Sequence, residues 1–381
     1  MVSRPLQAVQ FRAADGDRML AALAAALDGS GPAILPLDPD LPAPARNRIL
    51  ADCATGVADD TAVVIATSGS TGHSKAVELS AAALTASATA SLHRIGARRG
   101  ERWLCCLPTF HVSGLGVLVR SLVTGVDPVI AAGVSPEVIA DSGCAYISLV
   151  PTQLRRLLDA GCRPGGLAAV LIGGAAPGES LLAEARAAGW PLITTYGMSE
   201  TSGGCVYDGV PLKDVQVRVT DGLVEIAGPT LFSGYLGQPE LTSAVLGGGW
   251  FRTADLGSWR PDGSLVIRGR ADDVINTGGE KVVPGEVEAV LGTSPGVADV
   301  VVVGLPDRDW GETVTAVVIP ADPSKPPDLT RLRSDARDVL SAYAAPRRVV
   351  VVPEFPLLPS GKPDRVALRE LVLRKVALDR L

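Results

Sequence analysis

The chain has 381 residues, of which 47% are hydrophobic and 20% are charged, and its formal net charge is −6. This length exceeds the size at which one hydrophobic core normally keeps growing, so two domains are the first expectation and one large α/β domain is the second. The composition excludes extensive disorder. The acidic balance offers no basic surface for a phosphate backbone, which excludes nucleic acid as an expected partner.

Cysteine spacing and hydropathy indicate the cellular environment. The six cysteines show neither paired metal-ligand spacing nor the density of a secreted disulfide scaffold, which favours a reducing compartment. The N-terminal residues lack the apolar core of a signal peptide, and the apolar stretch from Gly114 is interrupted by Arg120 and Asp127. We therefore expect a cytoplasmic protein without a membrane segment.

Helices and strands alternate along the first half of the chain. Alanine-rich segments at residues 19–29 and 80–97 predict helices, the second with Ser80 as its N-cap. Short apolar runs that end at Gly, Pro or Ser predict strands, namely TAVVIAT, RWLCCLP, CAYISLVP, AAVLIGG and PLITTYG. Because these runs are apolar throughout, we expect an α/β sheet that is covered on both faces.

The pattern changes after residue 207. The segments VQVRVTDGLVEIAG and WRPDGSLVIRGR alternate around Asp-Gly turns, which predicts hairpins. Beyond Arg270, further apolar runs and the helical segment DLTRLRSDARDVLSAYA are enough for a separate small unit. The predicted fold is therefore a large N-terminal α/β domain with a β-rich subregion, residues 1–271, and a small mobile C-terminal α+β domain, residues 272–381.

A loop rich in glycine and hydroxyl groups follows the strand TAVVIA. It consists of Thr67, Ser68, Gly69, Ser70, Thr71, Gly72, His73, Ser74 and Lys75. Backbone N–H groups near glycine, side-chain hydroxyls and a closing lysine suit the binding of a polyphosphate. The spacing excludes a Walker A loop, because two residues separate Gly72 from Lys75 and Ala76 follows. A flexible Ser/Gly turn is the alternative that this segment alone leaves open.

Four further motifs follow the loop in order. They are YGMSET at residues 196–201, TADLG at residues 253–257, GRADD at residues 269–273 with its continuation to Glu288, and PSGK at residues 359–362. In order and spacing, the five motifs resemble those of the adenylate-forming superfamily, which includes acyl-CoA synthetases, peptide-synthetase adenylation domains and beetle luciferases. The similarity covers nearly the whole chain, although much of the superfamily's N-terminal region is missing or abbreviated. It implies an enzyme that binds ATP and activates a carboxylic acid as an acyl-AMP.

The resemblance implies an ATP site that draws on several segments. Ser199 stands where the superfamily usually has threonine, and it keeps the hydroxyl group. Asp255 and Arg270 match the residues that hold the ribose hydroxyls, and Glu200 is the candidate magnesium ligand and a candidate catalytic residue. The full nucleotide-binding set is Thr67, Ser68, Gly69, Ser70, Thr71, Gly72, Lys75, Gly173, Gly174, Ala175, Tyr196, Gly197, Ser199, Asp255 and Arg270.

The resemblance also implies roles in two half-reactions. Lys362 is the candidate catalytic residue of adenylation, because its ammonium group can stabilise charge on the attacking carboxylate and the α-phosphate. Asp272 matches the hinge of the small domain, and Gly278 and Gly279 match a channel for the pantetheine arm of coenzyme A. His111 matches a gate between the acyl pocket and that channel. The acyl-pocket candidates are Ser113, Gly114 and Ser202.

Two further segments narrow the identity of the acid. The short chain, the segment at residues 110–115 and the segment at residues 201–212 resemble the o-succinylbenzoate–CoA ligases of menaquinone biosynthesis, particularly compact actinobacterial forms. This implies a small-molecule carboxylic acid, ATP and coenzyme A as substrates, but no cation for the second carboxylate of the acid can be identified. The alternatives are another aryl- or acyl-CoA ligase, an adenylation enzyme that loads a carrier protein, and a degenerate nucleotide-binding sensor.

The segment at residues 356–362 resembles the context in which acyl-CoA synthetases are switched off by acetylation. A protein acetyltransferase that modifies Lys362 is therefore an expected partner. The sequence leaves the oligomeric state open, with a homodimer as one option.

Overall fold

The computed structural model describes residues 4–53, 56–67, 75–358 and 362–378. The strands are β1 (Leu6–Val9), β2 (Ala33–Pro36), β3 (Thr61–Thr67), β4 (Lys75–Ser80), β5 (Trp103–Cys105), β6 (Val129–Ile130), β7 (Tyr146–Leu149), β8 (Ala169–Ile172), β9 (Leu192–Met198), β10 (Gly203–Tyr207), β11 (Val210–Pro211), β12 (Gln216–Thr220), β13 (Leu223–Ala227), β14 (Gly234–Tyr235), β15 (Leu246–Gly247), β16 (Trp250–Trp259), β17 (Leu265–Arg270), β18 (Ile275–Thr277), β19 (Glu280–Val282), β20 (Val297–Asp307), β21 (Gly311–Pro320) and β22 (Arg348–Val351). The α-helices are α1 (Gly16–Asp28), α2 (Ala43–Asp52), α3 (Ala81–Arg94), α4 (Val112–Thr124), α5 (Pro136–Ser142), α6 (Pro151–Asp159), α7 (Glu179–Ala187), α8 (Pro239–Val245), α9 (Pro284–Leu291), α10 (Leu329–Val339) and α11 (Arg365–Leu378).

Local sequence signals account for the ends of several helices. The second alanine-rich segment forms α3 as predicted, and Ser80 Oγ accepts a hydrogen bond from the backbone N–H of Ala83 at 3.1 Å. The first forms α1, which ends at Gly29 with a φ of +79°, a conformation that favours glycine. Both predicted helices are confirmed.

One predicted helix is shorter than the sequence indicated. The segment at residues 328–344 is helical only as far as Val339, because Leu340 adopts an extended conformation. The chain then turns back, and a hydrogen bond of 2.8 Å from Arg333 Nη1 to the carbonyl oxygen of Pro346 holds the returning segment. The turn lets Ala344 and Ala345 join the hydrophobic core instead of extending the helix.

The chain folds as two compact units, each assembled from more than one segment. The first consists of Met1–Ala175, Ala185–Arg218 and Glu225–Thr253, and the second of Ala176–Glu184, Val219–Val224 and Ala254–Leu381. The domain boundary at residues 271 and 272 stays a prediction. All six cysteines are buried and free of disulfide bonds.

The first unit contains two sheets. One has the order β1-β2-β3-β4-β14, in which β1, β2 and β3 are parallel, β4 is antiparallel to β3 and β14 is antiparallel to β4. The other has the order β11-β10-β9-β8-β7-β5-β6 and is parallel from β6 to β9. Every residue of the predicted strands β5, β7 and β8 is buried, which confirms that these three are covered on both faces, whereas every residue of β9 is only partly buried.

A third sheet corresponds to the predicted β-rich subregion. Its order is β12-β13-β16-β15, with β17 beside β16. The hairpin of β12 and β13 turns at Asp221 and Gly222, whose φ values of +52° and +80° are typical of a two-residue turn. The hairpin of β16 and β17 pairs Trp259 with Leu265 and needs a longer loop. Both predicted hairpins are confirmed.

The second unit contains a mixed sheet of order β19-β18-β21-β20, with β22 parallel to β21. The run of valines in β20 places apolar side chains on both faces of this sheet. Val300 and Val302 pack in a core with α9 and α10, whereas Val301 and Val303 pack in a core that includes Leu368 of α11. The predicted α/β class with a small C-terminal α+β domain is confirmed. Among the described residues, no helix is both long and apolar enough to span a bilayer.

Candidate active site

The two ends of the predicted phosphate loop are held by a strand pair. Thr67 ends β3 and lies opposite Lys75, the first residue of β4. Thr67 Oγ1 donates a hydrogen bond of 3.2 Å to the carbonyl oxygen of Lys75. The antiparallel ladder therefore fixes where the loop begins and ends, while Ser68, Gly69, Ser70, Thr71 and Gly72 lie outside the described residues.

The Gly173–Ala175 segment leaves the buried strand β8 at its carboxyl end. A Cβ atom on Gly173 would lie 2.2 Å from Thr195 Oγ1, and Gly174 has a φ of +83°. Glycine is therefore required at both positions for the chain to pass close to β9 and to turn. In a parallel sheet, the carboxyl ends of the strands are where ligands commonly bind.

The segment from Tyr196 to Ser202 joins β9 to β10 through a short 3-10 turn at Ser199–Thr201. Gly197 packs against β10 so closely that a Cβ atom would lie 2.1 Å from the carbonyl oxygen of Gly203. Thr201 Oγ1 accepts a hydrogen bond of 2.9 Å from the backbone N–H of Met198. Tyr196 near the end of β9 and Ser199 at the start of the 3-10 turn are both partly buried.

Ser202 has a clear structural role. Its φ is +55°, its side chain is buried, and its hydroxyl donates a hydrogen bond of 2.9 Å to the carbonyl oxygen of Thr230. Its own carbonyl oxygen accepts a bond of 3.0 Å from Ser87 Oγ. The hydroxyl of this predicted acyl-pocket residue is thus already used to tie two segments together.

Glu200 lies in the 3-10 turn with its carboxylate partly exposed. Its Oε1 atom accepts a hydrogen bond of 2.9 Å from the phenol of Tyr235. Among the described residues, no lysine or arginine forms an ion pair with this carboxylate. A partly exposed carboxylate that pairs with no cation among these residues is chemically suited to bind a hard divalent cation.

His111 is the N-cap residue of α4, and its ring packs against Phe110 with centroids 4.6 Å apart. Gly114 lies in the first turn of the helix, where a Cβ atom would come within 2.3 Å of the carbonyl oxygen of Pro108. Gly114 therefore allows the helix to pack on the preceding segment, while Ser113 is exposed. Val112 is also close to the 199–203 turn, since a Cβ atom on Gly203 would be 3.9 Å from Val112 Cγ2.

Arg120 is a buried cation on the same helix. Only 8% of the residue is exposed, its guanidinium lies 4.2 Å from the ring centroid of Trp103, and Nη2 donates a hydrogen bond of 3.1 Å to Ser148 Oγ. Its Nε has no hydrogen-bond partner, and no carboxylate pairs with the guanidinium, among the residues that the structure describes. Burial lowers the pKa of Arg120, since it penalises the charged form.

The second unit brings together the predicted ribose-binding and hinge residues. Asp255 in β16 lies directly opposite Arg270 in β17. Arg270 Nη1 is 3.3 Å from Asp255 Oδ1, and its Nη2 is 2.8 Å from Asp272 Oδ2. One guanidinium therefore joins the candidate ribose-binding carboxylate to the candidate hinge residue.

Gly278 and Gly279 form the two-residue turn of the β18–β19 hairpin, with φ values of +61° and +86°. A Cβ atom on Gly278 would lie 2.6 Å from the ring of Trp310. The backbone N–H of Gly278 also donates a hydrogen bond of 2.8 Å to the carbonyl oxygen of Trp310. These glycines are required by the turn and by the close approach of an aromatic ring.

Lys362 is exposed, and the next residue, Pro363, forms an antiparallel bridge with Leu357. The carbonyl oxygen of Lys362 accepts a hydrogen bond of 2.8 Å from the backbone N–H of Leu358. Three residues later, Arg365 donates to the carbonyl oxygen of Val302 at 2.7 Å and pairs with Glu288 at 2.7 Å. Lys362 thus precedes a residue that is fixed to the core of the second unit.

The sequence assigned no role to two residues at this site, namely Arg120 and Tyr235. Arg120 carries a detectable signal, because an arginine interrupts the apolar face of a helix whose neighbours Leu118 and Val119 are buried. Tyr235 carries none, because its partner Glu200 is distant in the sequence and only the fold joins them.

Comparison with known proteins identifies the family. Residues 54–236 match the family described as AMP-binding enzyme, and residues 286–362 match the AMP-binding enzyme C-terminal domain. The chain therefore belongs to the AMP-binding enzymes, and the predicted membership of the adenylate-forming superfamily is confirmed.

Individual relatives and solved structures show which members of the family this chain is similar to. A probable 2-succinylbenzoate–CoA ligase of Mycobacterium tuberculosis is 42% identical over 367 residues, covering 92% of this chain and 94% of the relative. The structure of wild-type E. coli MenE with a bound analogue of OSB-AMS has a TM-score of 0.79 and 29% identity, covering 98% of this chain and 89% of that one. O-succinylbenzoate coenzyme A synthetase (MenE) from Bacillus subtilis, in complex with ATP and magnesium, has a TM-score of 0.82 and 26% identity, with coverage of 96% and 89%.

Proposed function

We propose that this protein is an ATP-dependent, AMP-forming ligase that joins 2-succinylbenzoate to coenzyme A. 2-Succinylbenzoate and o-succinylbenzoate are two names for the same acid. The observation that carries the proposal is the 42% identity to a probable 2-succinylbenzoate–CoA ligase over nearly the full length of both chains. The cytoplasm is the proposed location, since the six buried thiols need no oxidising compartment.

In the first half-reaction, a carboxylate oxygen of the acid attacks the α-phosphorus of ATP and pyrophosphate leaves. Lys75 and the loop that precedes it would bind the phosphates, and Asp255 and Arg270 would bind the ribose. Lys362 would contribute its ammonium group to the charge that develops on the α-phosphate. Lys362 is exposed and lies three residues before α11.

Magnesium fits the chemistry of Glu200, whose carboxylate pairs with no cation among the described residues. When bound, this ion supplies positive charge beside the phosphate oxygens. The 3-10 turn and the hydrogen bond from Tyr235 would orient this single carboxylate.

In the second half-reaction, the thiol sulfur of coenzyme A attacks the acyl carbon and AMP leaves. Asp272 is the proposed hinge for this change of arrangement, and Gly278 and Gly279 are proposed to border the pantetheine channel. The ring of Trp310 covers Gly278, so the open part of this turn is at Gly279, where a Cβ atom would meet no described atom within 4 Å. His111 is proposed to orient the acyl carbonyl from the start of α4.

Arg120 supports the choice of acid. 2-Succinylbenzoate carries a second carboxylate on its ring, and a buried guanidinium without a protein carboxylate is suited to bind one. Arg120 lies on α4, the helix of which His111 is the N-cap residue. We propose that Arg120 binds the ring carboxylate.

The test is a comparison of pyrophosphate release at equal concentrations of 2-succinylbenzoate, benzoate, succinate and a medium-chain fatty acid, each with magnesium and ATP. We expect 2-succinylbenzoate to react fastest and its thioester to appear when coenzyme A is added. A faster reaction with any of the other three acids would refute the proposed substrate but not the family. A product found only on an added carrier protein, with none on coenzyme A, would instead identify a carrier-loading enzyme.

A further inference from the structure

Tyr235 contacts two residues that belong to different motifs. Its phenol donates a hydrogen bond of 2.9 Å to Glu200 Oε1, and its ring centroid lies 5.2 Å from Lys75 Nζ. Tyr235 itself is only 4% exposed, whereas Glu200 and Lys75 are both partly buried. A single aromatic side chain therefore touches the candidate magnesium ligand and the lysine that closes the phosphate loop.

The backbone around Tyr235 is fixed independently of these contacts. Tyr235 lies in β14 opposite Val77 of β4, the strand that begins at Lys75. Its backbone N–H donates to Thr242 Oγ1 at 2.9 Å, and the backbone N–H of Phe232 donates to the carbonyl oxygen of Glu200 at 2.9 Å. The segment that carries Tyr235 is thus joined by backbone hydrogen bonds to both of the elements that its side chain contacts.

The two contacts have different physical effects. A phenol that donates to one carboxylate oxygen stabilises the ionised group and limits its rotation, which orients the second oxygen. An aromatic face within about 6 Å of an ammonium group attracts it electrostatically and restricts where a long lysine side chain can extend. Neither effect requires Tyr235 to touch a substrate.

We propose that Tyr235 is a positioning residue for the magnesium and phosphate site, which orients Glu200 through its hydroxyl and Lys75 through its ring. The inference rests on the proposed function, because it assigns Glu200 to magnesium and Lys75 to phosphate. It adds a residue outside the five motifs, and it separates two effects that different substitutions of one side chain can remove.

The experiment measures the affinity of the full chain for ATP by calorimetry without the acid, once with magnesium and once with EDTA. The ratio of the two dissociation constants reports the contribution of the metal. We expect Tyr235→Phe to reduce this ratio by about 10–100-fold, as is usual when a residue that orients a metal ligand is lost. The dissociation constant in EDTA should stay unchanged, because phenylalanine keeps the ring beside Lys75. We expect Tyr235→Leu to weaken ATP binding in EDTA as well.

Tyr146→Phe is the matched control. The Tyr146 phenol also donates to a glutamate, Glu101, but this pair contacts neither Glu200 nor Lys75. The control should keep the wild-type ratio, and thermal unfolding should show that each variant is folded. Glu200→Gln gives the reference for complete loss of the metal ligand.

The outcomes separate the inference from the function on which it rests. A wild-type ratio in Tyr235→Phe together with a reduced ratio in Glu200→Gln would overturn the positioning role and leave the metal ligand in place. A wild-type ratio in both variants would overturn the assignment of Glu200 and the inference together. A wild-type protein that binds ATP but activates no carboxylic acid would refute the proposed function alone.

Discussion

Replacing Arg120 by methionine should make the protein more stable and less selective. Methionine has a similar length and no charge, so it can occupy the space beside Trp103 without a buried cation. The substitution removes the cation–π contact at 4.2 Å and the hydrogen bond of 3.1 Å to Ser148. It also removes the need to bury a guanidinium that no carboxylate compensates among the described residues.

The magnitudes of these effects give the sign of the stability change. The lost cation–π contact is worth about 2 kcal/mol when it is shielded from water, and the lost hydrogen bond is worth about 1 kcal/mol. Desolvation of a buried ion costs several kcal/mol, and replacing buried charges by apolar residues of similar volume often stabilises a protein by about 1–4 kcal/mol. We therefore expect the free energy of unfolding to rise by roughly 1–3 kcal/mol, which corresponds to about 3–9 °C in Tm for a unit of this size.

The selectivity should change in the opposite direction. The acid 4-oxo-4-phenylbutanoate is 2-succinylbenzoate without its ring carboxylate, so comparing the two isolates the carboxylate. A charge-assisted hydrogen bond is worth about 1.5–3 kcal/mol, and the wild-type kcat/KM should therefore favour 2-succinylbenzoate by about 10–150-fold. In Arg120→Met this preference should fall close to one, while the rate with the smaller acid changes little.

The assay combines thermal unfolding with steady-state pyrophosphate release for both acids. Adding 2-succinylbenzoate should raise the Tm of the wild-type protein more than that of Arg120→Met, because only the wild type has the cation for the ring carboxylate. A variant that is less stable and equally slow with both acids would refute the reasoning, since Arg120 would then be a structural residue.

Four further predictions concern the lysine, the hinge and the thiols. Lys362→Ala should lower acyl-AMP formation by about 10²–10³-fold while ATP binding and thioester formation from added acyl-AMP persist; a wild-type adenylation rate would contradict its role. Asp272→Pro should impair thioester formation more than adenylation, and Asp272→Asn is the control because it keeps a partner for Arg270; equal losses would argue against a hinge. Stoichiometric acetylation of Lys362, mapped by mass spectrometry, should abolish adenylation only, whereas unchanged adenylation would dismiss both the switch and the catalytic role. Burial raises the pKa of Cys105 and Cys106 to about 12 from 9.0, so a thiol reagent at pH 8 should label neither before unfolding. The stability that these protonated thiols contribute below pH 9 should be lost as the pH rises toward 12.

Local patterns were sufficient to predict several of the secondary structure elements. The Asp-Gly turn between β12 and β13 requires positive φ at two successive residues, and Asp221 and Gly222 provide it. The end of α10 was not predictable in this way. Residues 340–344 have good helix-forming composition, but burying Ala344 and Ala345 in the core and bonding Arg333 to Pro346 outweigh that preference. Tertiary packing decided where the helix ends.

Motif recognition predicted the candidate site only as far as the motifs extend. Glu200 and Lys75 each lie in a motif, so their functional candidacy could be stated from the sequence. The partner that joins them, Tyr235, lies in a two-residue strand whose pairing with β4 is a long-range property of the fold. No local pattern specifies that a tyrosine beyond the motifs donates to Glu200. Relationships between motifs therefore needed the structure.

The contrast between two arginines shows how pairing separates a structural charge from a functional one. Arg365 is partly exposed and is bound by Glu288 at 2.7 Å and by Asp273 at 3.6 Å, so the protein itself compensates its charge. Arg120 is more deeply buried, and its described neighbours are the Trp103 ring, the Ser148 hydroxyl and the side chains of Tyr207 and Cys105, none of which is a carboxylate. Because an uncompensated buried cation is costly to keep, the simplest physical reason to retain Arg120 is a partner that arrives with the substrate. That reasoning selects an acid with two carboxylates, one to be activated and one to be held.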